Sequence, residues 1–334
     1  MNKKAVLLIN LGTPDDADGK SVYRYLTQFL NDPRVIDLPF LARWVLVNLI
    51  IVPLRYKKST EAYRQIWLPE GSPLLLNTQK LQQALAKKLG DDYQVVFGMR
   101  YGQPSIEKAL ADLDHCSELT VIPLFPQYAS ASSGSALEVV MNQLAKHCVE
   151  RLKIINGFYD NPGFIDAYAT LVKQQVTDKN VEHFVFSYHG LPERHIHKIC
   201  HASCNLLDPC PAITSSNTYC YRAQCYATSA LLAQQLNLDK SQYSVTFQSR
   251  LGRTPWIKPY TDLVLPELRA KKIKNIAVVC PSFVADCLET LEEIDLRARQ
   301  QWLDLGGNEF IFVPSINDQP IWVEALAAMV LPEQ

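Results

Sequence analysis

The sequence predicts an α/β protein of two similar halves, each built on a parallel sheet covered on both faces. Three observations predict this. Apolar, β-branched runs recur along the whole chain, and they are continuous instead of alternating, which is the pattern of strands buried on both faces. The longer stretches between them carry a helical period. The third run of each half also ends alike, LFPQYASAS in one and CPSFVADCL in the other, as an ancient duplication would leave it.

In order, the first half holds 5-AVLLINLG-12, 94-QVVFGMRYG-102, 119-LTVIPLFPQ-127 and 153-KIINGFYD-160. The second holds 183-HFVFSYHG-190, 244-SVTFQSRLG-252, 274-KNIAVVCPSF-283 and 309-EFIFVPSIN-317. Domain boundaries are accordingly expected at 1–160 and 161–330. The first run meets a Gly-Thr-Pro turn and two aspartates after a few residues, so it reads as a buried strand and not a signal peptide. The run 44-WVLVNLIIVP-53, bracketed by Arg43 and Pro53, has roughly half the ~20 residues that a spanning helix needs. It is either a buried helix or an exposed apolar lip that touches a membrane or a greasy substrate.

The composition bounds the chemistry. The 334 residues are 48% hydrophobic, enough to fill substantial cores, and 33 basic residues against 34 acidic ones leave a net charge of −1. Nothing there suggests a nucleic-acid partner, and a small-molecule enzyme is favoured. With no export signal, a reducing cytoplasm is the expected compartment, where Cys116, Cys148 and Cys280 read as plain buried thiols. Five more cysteines crowd into 200-CHASCNLLDPCPAITSSNTYCYRAQC-225, overlapping residues 194–220, which read as an inserted loop. In that compartment such a segment binds metal more readily than it forms disulfides. Four thiolates satisfy an iron–sulfur cluster or structural zinc equally well.

In parallel α/β sheets, ligands sit beyond the carboxyl ends of the strands. Those ends hold Leu11 and Gly12, Arg100 and Tyr101, Pro126 to Ser132, His189, Gln248 to Trp256, and Phe283 to Glu289. His189 should project from a strand end. Asp286, Glu289 and Glu293 are spaced by three and four, hence on one face of a helix, where they could pass a divalent cation along. A histidine opposite a carboxylate ladder suits proton abstraction coupled to metal handling. There is no GxGxxG and no Walker loop, and 12-GTPDD-16 would repel an anion. Tyr101, Tyr128, Phe283 and Trp256 with Arg100, Ser130 and Ser132 instead offer a pocket for something flat, apolar and carrying carboxylates.

Blocks spread over nearly the whole chain resemble the ferrochelatase family: NLGTP (10–14), YLTQFLNDPRV (25–35), EGSPL (70–74), MRYG (99–102), PLFPQYASASSG (123–134), SYHGLPERH (187–195), TFQSRLGRTPW (246–256) and CPSFVADCLETLEE (280–293). The resemblance implies two Rossmann-like, chelatase-type domains with a porphyrin cleft between them. It implies a lyase that inserts Fe²⁺ into protoporphyrin IX, giving protohaem and two protons, as the terminal step of haem synthesis.

On the matching positions, His189 takes part in pyrrole deprotonation or metal binding, Glu289 is the glutamate of the final block, and Glu293 continues its acidic face. Leu11, Arg100, Tyr101, Tyr128, Ser130 and Trp256 fall to the porphyrin. Leu11 is apolar in many protoporphyrin-using relatives and tyrosine in some coproporphyrin users. Two positions depart from relatives: Cys287 stands where many have histidine, and Arg297 where some have another acid. The 44–53 run corresponds to the family's hydrophobic lip, which implies peripheral membrane contact. The cysteine segment resembles an internal insertion of some bacterial relatives that carry a [2Fe–2S] cluster. Cys204, Cys210, Cys220 and Cys225 are the expected ligands by spacing, with Cys200 spare. A cobalt chelatase acting on a sirohydrochlorin-type ring and a non-catalytic porphyrin or metal carrier are the other readings.

Overall fold

The computed structural model describes residues 3–113, 116–144, 149–200, 204, 206, 210–252 and 254–331; Cys148 and the Cys200 side chain lie outside the described set. The strands are β1 (Lys3–Gly12), β2 (Tyr93–Tyr101), β3 (Cys116–Pro123), β4 (Val149–Ile154), β5 (His183–His189), β6 (Tyr243–Gln248), β7 (Asn275–Val279) and β8 (Glu309–Val313). They form two four-stranded sheets ordered β2-β1-β3-β4 and β6-β5-β7-β8, and every pairing is parallel. The two orders are the same topology, as a duplicated half requires. In each sheet the order reverses beside the first strand, β1 or β5, which is where ligand sites of parallel sheets open.

The described strands overlap all eight expected runs; β3 starts at Cys116, ahead of its run, and β4 shifts furthest. The last strand of the first half starts at Val149 and stops at Ile154, whereas the run was expected over 153–160. It is the sheet's edge strand and mostly exposed. Beyond it, Phe158 leaves the strand to pack on Phe164 and Trp322, with ring centroids 5.3 and 5.2 Å away.

By Cα proximity the chain divides into two units: Met1–Phe125 with Ala129–Gly157 and Val323–Gln334, and Pro126–Tyr128 with Phe158–Trp322. The first is centred on Leu7, Ile9, Leu119 and Val121, all fully buried, under Ala136 and Val140. The second packs Val185, Ile276 and Val278 against Leu265 and Trp302. Burying each such side chain stabilises the fold by about 1.5–3 kcal/mol.

Among the described residues, three π-helical segments adjoin α-helices: Leu46–Ile51, Ser130–Gly134 and Leu291–Ala298. Such segments are rare and frequent at functional sites. The first joins Phe40–Val45 to Val52–Ile66. One side of this helical run, Val47 and Val52, packs on Leu30 and Ile36. The other exposes Phe40, Leu41, Trp44, Leu49, Ile50 and Leu54, with Leu41 at 74% and Leu54 at 77% exposure. The 44–53 segment is therefore not wholly buried: one side is core and the other an exposed apolar face. No helix among the described residues is long and apolar enough to cross a membrane.

Candidate active site

In the second unit, His189 ends β5, half-buried between Trp256 and Phe283, whose rings lie 6.5 and 6.3 Å from its own. Its Nδ1 is 2.6 Å from the Gly190 carbonyl oxygen. A carbonyl can only accept, so Nδ1 carries the hydrogen and Nε2 carries the free lone pair of the neutral ring. The backbone of His189 is held by Tyr221, whose hydroxyl donates to its carbonyl at 2.8 Å, and by Ser282 at its N–H, 3.3 Å. The following glycine is dictated by space. A Cβ at Gly190 would sit 2.7 Å from the Gln248 carbonyl oxygen and 3.2 Å from the Trp256 ring.

Gln248, the register partner of His189 on β6, ties the site together. Its Oε1 accepts from Ser187 at 2.7 Å, its Nε2 donates to the Glu289 carbonyl at 2.8 Å, and its own carbonyl accepts from Gly190 N–H at 2.7 Å. One buried amide therefore joins the histidine strand to the acidic helix. Trp256, which packs on His189, is fixed by an indole N–H bond to the Leu251 carbonyl, 2.9 Å.

The acidic helix departs from expectation at its start. Asp286 precedes the helix and is not on its face. It is buried, accepts from Thr290 and from the Ser315 N–H at 3.0 Å each, and accepts from Asn317 at 2.8 Å. These three bonds anchor the helix start. The cap itself is Cys287, whose N–H donates to Thr290 at 3.0 Å. Burial, and next the Glu289 carboxylate, push the Cys287 thiol up, so Cys287 stays protonated beside Glu289. Glu289 and Glu293 follow on half-buried positions. The i→i+5 winding of Leu291–Ala298 also brings Arg297 to 3.2 Å from Glu292 and 3.7 Å from Glu293.

In the first unit, Leu11 is half-buried at the end of β1. Arg100, Tyr101 and Ser130 are gathered by a residue the sequence reading passed over, Asp32. Its buried carboxylate accepts from Arg100 (2.6 Å), the Tyr101 hydroxyl (2.9 Å) and Ser135 (2.5 Å). The Arg34 N–H reaches its other oxygen at 2.7 Å, and the Arg34 guanidinium donates to Ser130 at 2.9 Å. Tyr101 is 1% exposed, so no substrate atom touches its hydroxyl in this arrangement; burial and Asp32 push its pKa far up. Arg100 stacks over the Tyr101 ring at 4.6 Å and stays partly exposed. The only hint of Asp32 in the sequence is an acid inside the FLNDPRV block, and of Gln248 its place at a strand end.

The Tyr128 N–H donates to Gln224 at 2.6 Å, on the helix Tyr221–Gln235, and its ring meets Tyr219 at 6.0 Å. That helix begins at the cysteine segment, with Cys220 as its cap. Cys204, Cys210, Cys220 and Cys225 are all free thiols. Burial pushes Cys210 up to about 11, with neighbouring Arg222 opposing and Cys220 and Cys204 adding to the rise. Cys225 is raised by burial, and Cys220 and Cys210 raise it further. Cys210 thus lies near Cys204, Cys220 and the buried Arg222 guanidinium, and Cys225 near Cys220 and Cys210. The donor chemistry fits a four-thiolate group, although no three His, Cys, Asp or Glu among the described residues form a closed ligand set.

The family profile of ferrochelatase matches residues 3–334. The chain belongs to the ferrochelatase family. Curated relatives named ferrochelatase include one from Legionella pneumophila strain Lens, 53% identical over 98% of both chains, and one from Coxiella burnetii strain CbuK_Q154, 52% identical over 98% of this chain and 93% of the relative. Among solved structures, a multi-domain Deinococcus radiodurans protein described as similar to chelatases aligns over all of this chain and 56% of its own (TM-score 0.54, 12% identity). The sirohydrochlorin chelatase SirB of Bacillus subtilis subspecies spizizenii aligns over 97% of this chain and 92% of its own (TM-score 0.51, 10% identity). At that identity the two structures show the fold alone.

Proposed function

We propose that the chain inserts Fe²⁺ into protoporphyrin IX, releasing two pyrrole protons and forming protohaem. The observation that carries this reading is the end-to-end ferrochelatase match combined with a strand-end histidine whose Nε2 lone pair is free to take a proton. A planar tetrapyrrole holds two N–H protons where the metal must go. Bending the macrocycle tips the pyrrole nitrogens out of plane, at a cost of a few kcal/mol met by binding energy from the rest of the ring. His189 Nε2 accepts the pyrrole protons one at a time, passing each on to solvent, and the Glu289 carboxylate, beside the Cys287 thiol, exchanges for water on the iron.

Leu11, Arg100, Tyr128, Ser130 and Trp256 contact the porphyrin; Tyr101 acts from beneath by carrying Arg100. Apolar Leu11 favours protoporphyrin over coproporphyrin. The exposed face of the 40–54 helical run supports peripheral contact of a cytoplasmic enzyme with a membrane surface, from which an apolar porphyrin is drawn. Cys204, Cys210, Cys220 and Cys225 hold a [2Fe–2S] cluster, with Cys200 spare; when bound it supplies a one-electron centre and a covalent staple for the inserted segment.

A matrix of Fe²⁺ and Co²⁺ against protoporphyrin IX, coproporphyrin and sirohydrochlorin tests the reading. Fe²⁺ with protoporphyrin should give the highest kcat/KM. Turnover of sirohydrochlorin with cobalt alone would make the chain a different chelatase, and porphyrin binding without any metalloporphyrin would make it a carrier.

A further inference from the structure

We infer that Glu293, which its place in the acidic run assigns to iron, is instead a positioning residue: its carboxylate clamps the Gln248–Ser249 turn that holds His189 and Glu289 in place. The inference rests on the proposed roles of those two residues. Ser249 has φ +66, a left-handed backbone that a serine adopts only when its surroundings impose it. What imposes it is Glu293. The Ser249 N–H donates to Glu293 Oε1 at 2.9 Å, and the Ser249 hydroxyl donates to Oε2. Gln248 Nε2 lies 3.5 Å from the same Oε2, and Arg297 3.7 Å from Oε1.

Two consequences follow. Both oxygens of Glu293 are already engaged, and a cation adjoins them, so an Fe²⁺ ion would have to displace bonds and meet repulsion from Arg297. Meanwhile the clamped turn is the one whose neighbour, Gln248, bonds to Ser187, Gly190 and the Glu289 carbonyl. It also leads into the segment whose Trp256 packs on the His189 ring. Releasing Ser249 would loosen both catalytic side chains at once without removing either.

The test compares Glu293→Gln, Ser249→Gly and the double variant with the wild type, under anaerobic turnover and under limited trypsinolysis mapped at Arg250, an exposed residue beside the turn. Glutamine keeps the shape but weakens the charge-assisted bonds. Glu293→Gln should therefore lower kcat about tenfold or more and speed cleavage after Arg250, with KM for Fe²⁺ within about twofold of wild type. Glycine accepts a positive φ unaided. The double variant should consequently slow cleavage again and recover at least about threefold of the lost kcat. A KM for Fe²⁺ raised about tenfold in Glu293→Gln, with no recovery in the double variant, would return Glu293 to iron and overturn the clamp; unchanged cleavage and kinetics would do so equally. If the wild type made no metalloporphyrin, the functional reading would fail, while the cleavage pattern would still judge the clamp.

Discussion

His189 Nδ1 lies 2.6 Å from the carbonyl oxygen of Gly190, the next residue in the chain, and this contact leaves Nε2 as the ring nitrogen with a lone pair to accept a proton. Because Nδ1–H is spent on the backbone, Nε2 is the acceptor. His189→Ala should leave porphyrin affinity within about tenfold, since one polar contact rarely exceeds ~1.5 kcal/mol, while metal insertion nearly stops. Fluorescence titration measures the first and single-turnover absorbance the second. Retained turnover would remove His189 from the mechanism.

Glu289 and Glu292 are both half-buried but differ in their partners. Glu292 is paired with Arg297 at 3.2 Å, whereas Glu289 adjoins the protonated Cys287 thiol. Glu289→Gln should lower kcat at saturating porphyrin far more than it weakens porphyrin binding, and Glu292→Gln should stay within about threefold of wild type. The reverse order in steady-state kinetics would show that the roles of the two glutamates have been misassigned.

The sheets were legible in the sequence because strands buried on both faces are written as continuous apolar runs. The strand β4 drifted most, being almost wholly exposed and so carrying little of the apolar pattern. The candidate site was half legible. His189, Glu289 and Trp256 announce themselves at strand and helix ends, but the bonds that fix them span 41 to 44 residues and leave no local pattern, as Gln248 to Glu289 and Ser249 to Glu293 show. Asp286 was misplaced because α-helical spacing was extended back through Cys287, where the helix in fact begins. The π winding that brings Arg297 to Glu292 has no compositional signature at all.

The lip offers a contrast between two faces of one helix. Replacing exposed Leu41 and Trp44 by serine should weaken binding to anionic liposomes and raise KM for protoporphyrin, with a small change in Tm. Val47→Ser, buried against Leu30 and Ile36, should instead lower Tm by several degrees. Unfolding of the exposed-face variant in a thermal melt would show that the face is core.

For the cysteine segment, protein made and purified without oxygen should be red-brown, with visible bands that bleach on reduction and about two irons and two sulfides per chain. Serine at Cys204, Cys210, Cys220 or Cys225 should each strip or destabilise the colour, whereas Cys200→Ser should keep it. A colourless protein with one zinc would replace the cluster by a structural site. A colourless, metal-free and active one would leave the segment without either.

The most direct measurement is the anaerobic loss of protoporphyrin IX fluorescence on adding Fe²⁺, followed with the wild type and His189→Ala side by side. The account predicts rapid quenching with the wild type, the absorbance spectrum of protohaem as product, and bound but unconverted porphyrin in the variant. Porphyrin that binds the wild type and keeps its metal-free spectrum in the presence of Fe²⁺ would contradict it.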